Sequence, residues 1–168
     1  MGCGSGADVV WVSSLSEGSR LVTILELIRV ISLESKQIEE GLQFVPKFDP
    51  HGLIPAIAQD ATTGEVLMVA YMNREALDRT IATGRATYYS RSRQKLWKKG
   101  EESGHVQTVQ QILVDCDQDC LILKVSVDAG QCHVGYQSCF YRALKSGSDK
   151  DLQLIAEKTY DPEATYKK

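Results

Sequence analysis

The sequence has no run of ~18 uncharged apolar residues, which excludes an ordinary membrane-spanning helix. Its first residues contain no basic region followed by an apolar one, so no secretion signal is recognised. The net charge of −3 shows no excess of positive charge, and nothing in the overall composition indicates nucleic-acid binding. These absences predict a protein with neither a membrane nor a nucleic acid as its partner.

The five cysteines are an odd number, and no secretion signal accompanies them. This combination indicates a reducing cytoplasm and thiols available for metal, rather than disulfides. With 168 residues, 43% of them hydrophobic and 24% charged, the chain is long enough for one domain with a real core. We therefore expect a cytoplasmic globular protein.

Four of the cysteines lie within 25 residues that also contain three closely spaced aspartates. If the segment is extended, Asp115, Asp117 and Asp119 point to one face, and Cys116 and Cys120 point to the other. Carboxylates suit Mg²⁺ or Ca²⁺, whereas thiolates suit zinc. The alternation predicts two metals on opposite faces, and the alternative is a solvated acidic strand end with small buried cysteines.

Three thiolates, from Cys116, Cys132 and Cys139, would be available to one zinc ion. The six residues between Cys132 and Cys139 are not the spacing of a zinc finger or zinc ribbon. Three protein ligands and an open position are typical of catalytic zinc, which lowers the pKa of bound water to roughly 7. A fourth ligand, Cys120 or His133, would make the zinc structural, and the spacing leaves both possibilities open.

Hydrophobic periodicity and turn residues predict an α+β fold, mostly antiparallel β-sheet with a few helices. Strands are predicted at residues 54–59, 66–71, 86–90, 106–114, 121–127 and 140–144. A helix is predicted at residues 19–41, a second from an Asn73 cap to about residue 82, and a weak third at residues 151–157. In the second helix, Leu77 and Ile81 are expected on the buried face.

A basic segment containing glycine follows the strand predicted at residues 86–90, and we expect this segment to be a loop. Arginine side chains and backbone amides in such a segment suit phosphate. The glycine spacing and the Lys-Ser/Thr ending of a P-loop are absent. The alternative is a solvated run of surface charge. The basic residues are Arg91, Arg93, Lys95, Lys98 and Lys99.

Seven separated motifs follow one another between about residue 48 and residue 144. They are Gly-Leu-Ile-Pro-Ala-Ile-Ala-Gln-Asp from Gly52, Met-Val-Ala-Tyr-Met-Asn from Met68, Tyr-Ser-Arg-Ser-Arg from Tyr89, Leu-Trp-Lys-Lys-Gly-Glu from Leu96, Ser-Gly-His from Ser103, Asp-Cys-Asp-Gln-Asp from Asp115 and Cys-His-Val-Gly-Tyr-Gln-Ser-Cys-Phe-Tyr-Arg from Cys132. Through these motifs the chain resembles the phosphoribosyl-AMP cyclohydrolases of histidine biosynthesis.

The resemblance implies an intertwined homodimer in which the two subunits share the zinc ligands. It assigns Mg²⁺ to Asp115, Asp117 and Asp119, assigns zinc to Cys116, Cys132 and Cys139, and leaves Cys120 as a small core residue. A cyclohydrolase domain is then expected at residues 48–146. We expect residues 1–18 to be a disordered extension, residues 19–47 a helix and connector, and residues 147–168 a tail. About two dozen residues follow Leu144, so a single activity is expected.

The implied reaction is hydrolytic opening of the adenine ring of phosphoribosyl-AMP between ring nitrogen one and carbon six. His133, next to Cys132, is the candidate general base, and a second-sphere or core histidine is the alternative. Trp97 would stack on a base or simply pack. The candidates for contact with substrate phosphates are Arg91, Arg93, Lys99, Ser103 and Gly104.

Three other functions fit parts of the pattern. A zinc nucleoside deaminase would need His-x-Glu followed by Pro-Cys-x-x-Cys, and neither is present. A non-catalytic module with structural zinc would use Cys120 or His133 as its fourth ligand. The acidic balance and the lack of interleaved aromatic residues weigh against an RNA-binding role for the basic segment.

Overall fold

The computed structural model describes residues 35–165, and the chain divides into two compact units between Val45 and Pro46. Within the first unit, residues 35–40 are helical (α1), and this helix ends immediately before Gly41. The described part of the helix predicted at residues 19–41 is therefore confirmed. The remainder of that prediction, and the disordered extension expected at residues 1–18, lie outside the described residues.

The second unit is built mostly from strands, and its described residues contain two further helices. Its elements in chain order are β1 (Ile54–Asp60), β2 (Val66–Met72), α2 (Arg74–Thr83), β3 (Thr87–Ser90), β4 (Lys95–Lys98), β5 (Thr108–Val114), β6 (Leu121–Ser126), β7 (Arg142–Leu144), β8 (Leu152–Leu154) and α3 (Pro162–Thr165). This content confirms the predicted α+β class. No helix within residues 35–165 is long and apolar enough to span a membrane.

Four strands form the main sheet in the order β2-β1-β6-β5. The outer pairs, β1 with β2 and β5 with β6, are antiparallel, whereas the central pair of β1 and β6 is parallel. A parallel pair needs a long crossover, and here β2, α2, β3, β4 and β5 all lie between its two strands in the chain. The mostly antiparallel pairing is as predicted.

The core lies on one face of this sheet because alternate side chains of the central strands point towards it. Burial alternates along both β1 and β6, and the inward residues are fully buried. Leu67, Met72, Leu77 and Tyr88 complete the same core from neighbouring elements. The two strands are thereby held rigidly, and the loops that follow them start from fixed positions.

The cap residues of α2 agree with the sequence prediction, but one buried residue does not. The Asn73 side chain accepts a hydrogen bond from the Ala76 amide at 2.9 Å, and Gly84 ends the helix in the left-handed region at φ 65°. Leu77 is buried as expected, whereas the prediction for Ile81 is wrong, since 55% of that residue is exposed. Thr80 takes the inward position because its hydroxyl accepts a hydrogen bond from the Thr87 amide at 3.0 Å.

Two small hairpins complete the unit and correct two other expectations. The first pairs β3 with β4, so part of the basic segment is a strand and not a loop. The second pairs β7 with β8. The weak helix predicted at residues 151–157 is therefore wrong, because Leu152–Leu154 finds a strand partner in Arg142–Leu144 that local sequence does not indicate.

Candidate metal centre and substrate cavity

The three aspartates lie in the turn between β5 and β6. Their carboxylate oxygens lie within 4.8 Å of one another, a grouping that could hold a metal ion. The segment is a tight turn and not the extended conformation on which the prediction of two opposite faces depended, and the Asp115 side chain accepts a hydrogen bond from the Cys120 amide at 3.0 Å. The turn, rather than side-chain alternation along a strand, therefore gathers the carboxylates.

Mutual repulsion is the main electrostatic feature of this acidic turn. The charge of Asp117 raises the pKa of Asp119, with smaller contributions from desolvation and Asp115. Lys47 offsets part of the negative charge, since its ammonium group lies 3.4 Å from an Asp117 oxygen. Carboxylate oxygens are the ligands that Mg²⁺ and Ca²⁺ prefer, so the donor set fits a hard divalent cation.

Two of the predicted zinc ligands meet at a different place. Cys132 is buried, and its thiol lies near that of Cys139, whose backbone amide donates to the Leu67 carbonyl at 2.8 Å. Cys139 has an exposed surface, yet desolvation of its thiol raises the pKa to about 12, and the neighbouring Cys132 adds to the shift. Metal binding would replace the protons of both thiols, and paired sulfur donors fit zinc.

The third predicted zinc ligand is not part of this pair. Cys116 is exposed in the acidic turn. Among the described residues, the aspartates form the one cluster of three or more possible metal ligands, and it includes no cysteine. A single chain therefore brings together Cys132 and Cys139 but not all three thiols.

A lysine lies beside the thiol pair. Lys99 is only 7% exposed, and its burial lowers the pKa of the amine, although negative charge at Cys139 and Cys132 would oppose this effect. The buried cation and the two thiols thus share one poorly hydrated environment, in which charges interact more strongly than in water.

A cavity of about 460 Å³ opens next to the thiols. The predicted residues that line it are Arg93, Trp97, Lys99, Ser103, His133 and Cys139. Arg91 and Gly104 are not among the lining residues. The Arg91 guanidinium lies 3.9 Å from the centre of the Tyr71 ring, and the Gly104 amide donates to the Gly100 carbonyl at 2.9 Å. The cavity therefore combines sulfur, imidazole, cationic and aromatic groups.

Known proteins are similar in sequence to this protein over most of its chain. The family model for phosphoribosyl-AMP cyclohydrolase matches residues 68–141, which include both the acidic turn and the thiol pair. A protein of that name from Rhodopseudomonas palustris (strain TIE-1) is 57% identical over 135 residues, which is 78% of this chain and 89% of the relative. Another from Methanococcoides burtonii is 59% identical over 120 residues, 71% of this chain and 94% of the relative.

The chain belongs to the phosphoribosyl-AMP cyclohydrolase family. A relative from Chlorobium limicola with the same name is 51% identical over 135 residues, 80% of this chain and 97% of that protein. Hydrolysis and histidine biosynthesis follow from this membership, as the sequence motifs predicted. The family also implies metal use, for which the acidic turn supplies one possible site.

In this cyclohydrolase, a chain of buried hydrogen bonds supports the cavity wall, and the sequence analysis did not identify it. The Tyr88 hydroxyl donates to the Gln107 side-chain oxygen at 2.6 Å, and the Gln107 amide donates to the Gln131 side-chain oxygen at 3.1 Å. Gln131 precedes Cys132, and the Tyr88 ring packs against Trp97 with centroids 5.0 Å apart. Gln107 therefore connects Gln131, which precedes the Cys132 thiol, to Tyr88, and through Tyr88 to Trp97 of the cavity wall.

We predict that Gln107→Leu destabilises the protein by roughly 2–4 kcal/mol, because it leaves the Tyr88 hydroxyl and the Gln131 side-chain oxygen without their partners. Urea unfolding measures this change in free energy. The matched control is Gln111→Leu, at an exposed position of β5, which should stay within about 0.5 kcal/mol of the original protein. Equal losses in the two variants would contradict the structural role of Gln107.

Proposed function

We propose that this cyclohydrolase is a zinc-dependent enzyme that opens the adenine ring of 1-(5-phosphoribosyl)-AMP. The product would be the phosphoribosyl-formimino aminoimidazole carboxamide ribotide of histidine biosynthesis. The observation that carries the proposal is the meeting of the Cys132 and Cys139 thiols beside a cavity lined by basic and aromatic side chains. Such a cavity suits a phosphorylated purine, and the thiols suit zinc.

Cys132 and Cys139 would hold the zinc together with Cys116 of the partner subunit. Three protein ligands leave one coordination position open, and zinc held in this way supplies a water of lowered pKa as the nucleophile. Asp115, Asp117 and Asp119 would hold Mg²⁺, which supports the binding of a phosphate-rich substrate.

The side chains of the cavity would orient the substrate around that nucleophile. The Trp97 ring offers a surface on which the adenine can stack, and the Arg93 and Lys99 cations suit the phosphates. Ser103 lies on the same wall and could donate to a phosphate oxygen. Contacts from Arg91 and Gly104 remain a prediction, since neither residue lines the cavity of one chain.

His133 is the proposed general base. It is exposed at the cavity and follows Cys132 directly in the chain. An imidazole nitrogen there can accept a proton from the attacking water at neutral pH and return it to ring nitrogen one as the ring opens. The other proton of the water would pass to the exocyclic nitrogen, so that carbon six becomes the carboxamide as its bond to ring nitrogen one breaks.

A homodimer is the proposed assembly, because one chain leaves the thiol set incomplete. Cys116 is exposed and therefore accessible to a second copy. Large apolar residues are also exposed on the second unit, among them Phe140 at 52%, Leu144 at 60% and Leu154 at 64%. Burying such side chains between two copies would be favourable.

We predict that the protein with Zn²⁺ and Mg²⁺ converts phosphoribosyl-AMP to the ring-opened product. The change in ultraviolet absorbance measures this conversion. Cys132→Ser should lose both zinc and activity. His133→Ala should keep its zinc and lose a factor of roughly 10²–10⁴ in kcat, the usual contribution of general acid–base catalysis. His51→Ala, at an exposed position outside the cavity lining, is the matched control and should behave as the original protein does.

Absence of ring opening by the zinc-loaded protein would refute the proposed reaction. The second candidate is a non-catalytic structural-zinc module. The observation that favours it is the nearby His133, which could be the fourth zinc ligand. Cobalt substitution separates the two functions, because an open coordination position gives an absorption spectrum that changes when substrate is added. A spectrum insensitive to substrate would support the structural module.

Mixing of inactive subunits tests the shared site. Cys116→Ser and Cys132→Ser should each be inactive alone, but a mixed dimer retains one site with all three thiols intact. Random exchange of equal amounts makes half of the dimers mixed, so activity should recover to about a quarter of the original value. If all three ligands came from one chain, no mixture would recover activity.

A further inference from the structure

The loop that carries Cys132 is closed by its own backbone. The Cys132 amide donates to the Tyr136 carbonyl at 3.0 Å, and the Gly135 amide donates to the Cys132 carbonyl at 3.0 Å. Gly135 has φ 101°, a conformation that other residues rarely adopt, and a Cβ there would lie 2.6 Å from the Tyr160 carbonyl oxygen. The segment around Tyr160 therefore packs directly against this loop.

Tyr160 adds a second hydrogen bond to the carbonyl of Cys132. Its hydroxyl donates to that oxygen at 2.5 Å, across 28 positions of the chain. A carbonyl oxygen has two lone pairs, so it accepts from both Gly135 and Tyr160. This carbonyl is part of the peptide that joins Cys132 to His133. The two hydrogen bonds to its oxygen therefore fix the orientation of the peptide plane, on either side of which the Cys132 and His133 side chains are attached.

His105 fixes the Tyr160 ring from another direction. The two rings meet edge to face, with centroids 4.5 Å apart and planes at 88°. His105 is itself anchored, because its Nδ1 lies 2.8 Å from the Gly130 carbonyl oxygen. A carbonyl only accepts, so Nδ1 carries the proton in this contact.

The backbone beside Tyr160 is anchored to the same loop. The Thr159 amide donates to the Gly135 carbonyl at 2.7 Å. The loop is thus held at Gly130, Cys132 and Gly135 by His105 and two consecutive residues of the C-terminal segment. That segment lies beyond residues 68–141, which the family model matches.

We propose that Tyr160, oriented by His105, is a positioning residue that presets the peptide between the zinc ligand Cys132 and the general base His133. This inference rests on the proposed function for the roles of those two residues. Groups that hold a ligand in place before the metal arrives raise metal affinity, because less ordering remains to be done on binding. The same rigidity would keep the imidazole correctly placed for proton transfer.

Tyr160→Phe tests the proposal, because it keeps the ring that contacts His105 and removes only the hydroxyl. The matched control is Tyr141→Phe, which removes a hydroxyl from a ring stacked on Tyr136 in the same region. Within residues 35–165, the Tyr141 hydroxyl has no hydrogen-bond partner. The two variants therefore differ in whether a hydrogen bond to the Cys132 carbonyl is lost.

Three measurements separate positioning from general stabilisation. Competition with a chromophoric chelator should show zinc affinity roughly 3- to 10-fold weaker in Tyr160→Phe, the loss of one net hydrogen bond. Its kcat should fall while KM stays within about twofold, because substrate contacts are unchanged. In metal-free protein, amide exchange should accelerate at residues 132–136 and remain unchanged in β1 and β6. Tyr141→Phe should match the original protein in all three measurements.

Unchanged zinc affinity and unchanged loop exchange in Tyr160→Phe would overturn the inference, as would accelerated exchange spread across β1 and β6. Failure of the proposed function gives a different result. In that case the original protein would fail to open the ring, while the metal-free exchange difference between the two tyrosine variants would persist.

Discussion

The contact between the Cys132 and Cys139 thiols is the interaction on which the rest of the site depends. The thiols come from opposite ends of one loop region. Each residue is fixed by backbone hydrogen bonds, and Cys132 lies close enough to Cys139 to raise the pKa of its thiol. Lys99 lies close enough for its charge to act on both. Because Cys132 is buried and the Cys139 thiol is desolvated, a divalent cation that replaced the thiol protons would interact with the sulfurs more strongly than in bulk water.

The sheet holds that contact in place from one side. Ser138, next to Cys139, donates to the Val66 carbonyl at 2.7 Å, and the Cys139 amide donates to Leu67 in the same strand, β2. Since Leu67 is completely buried, the position of Cys139 is tied to the core of the unit. The buried chain through Gln107 and Gln131 gives comparable support to Cys132 from the other side.

Local patterns in the sequence were sufficient for much of the fold. The strands at residues 54–59 and 66–71 were predicted on either side of turn residues 60–64, where the Asp60 side chain accepts from the Thr62 and Thr63 amides at 2.8 Å. The Asn73 cap was predictable for a similar reason, as its partner lies three residues away. Leu152–Leu154 was misassigned as helix because a three-residue strand is stabilised by its pairing with Arg142–Leu144 and not by its own propensity.

The candidate site was predictable only where its residues are close in sequence. The aspartates were grouped correctly although the extended conformation assumed for them was wrong, because alternate residues in a tight turn also converge. Support from Gln107 and Tyr160 was missed, since each acts on a residue 24 or more positions away. Cys116 illustrates the same limit, as its predicted partners lie elsewhere in the fold and, in our proposal, in another subunit.

The central claim is that Cys132 and Cys139 form a zinc centre completed by a second copy of the chain. Anomalous diffraction at the zinc absorption edge, from crystals of zinc-loaded protein, tests this most directly. We expect one strong peak per chain about 2.3 Å from the sulfurs of Cys132 and Cys139 in one subunit and of Cys116 in its partner. A peak elsewhere, or one whose protein ligands all come from a single chain, would contradict the account.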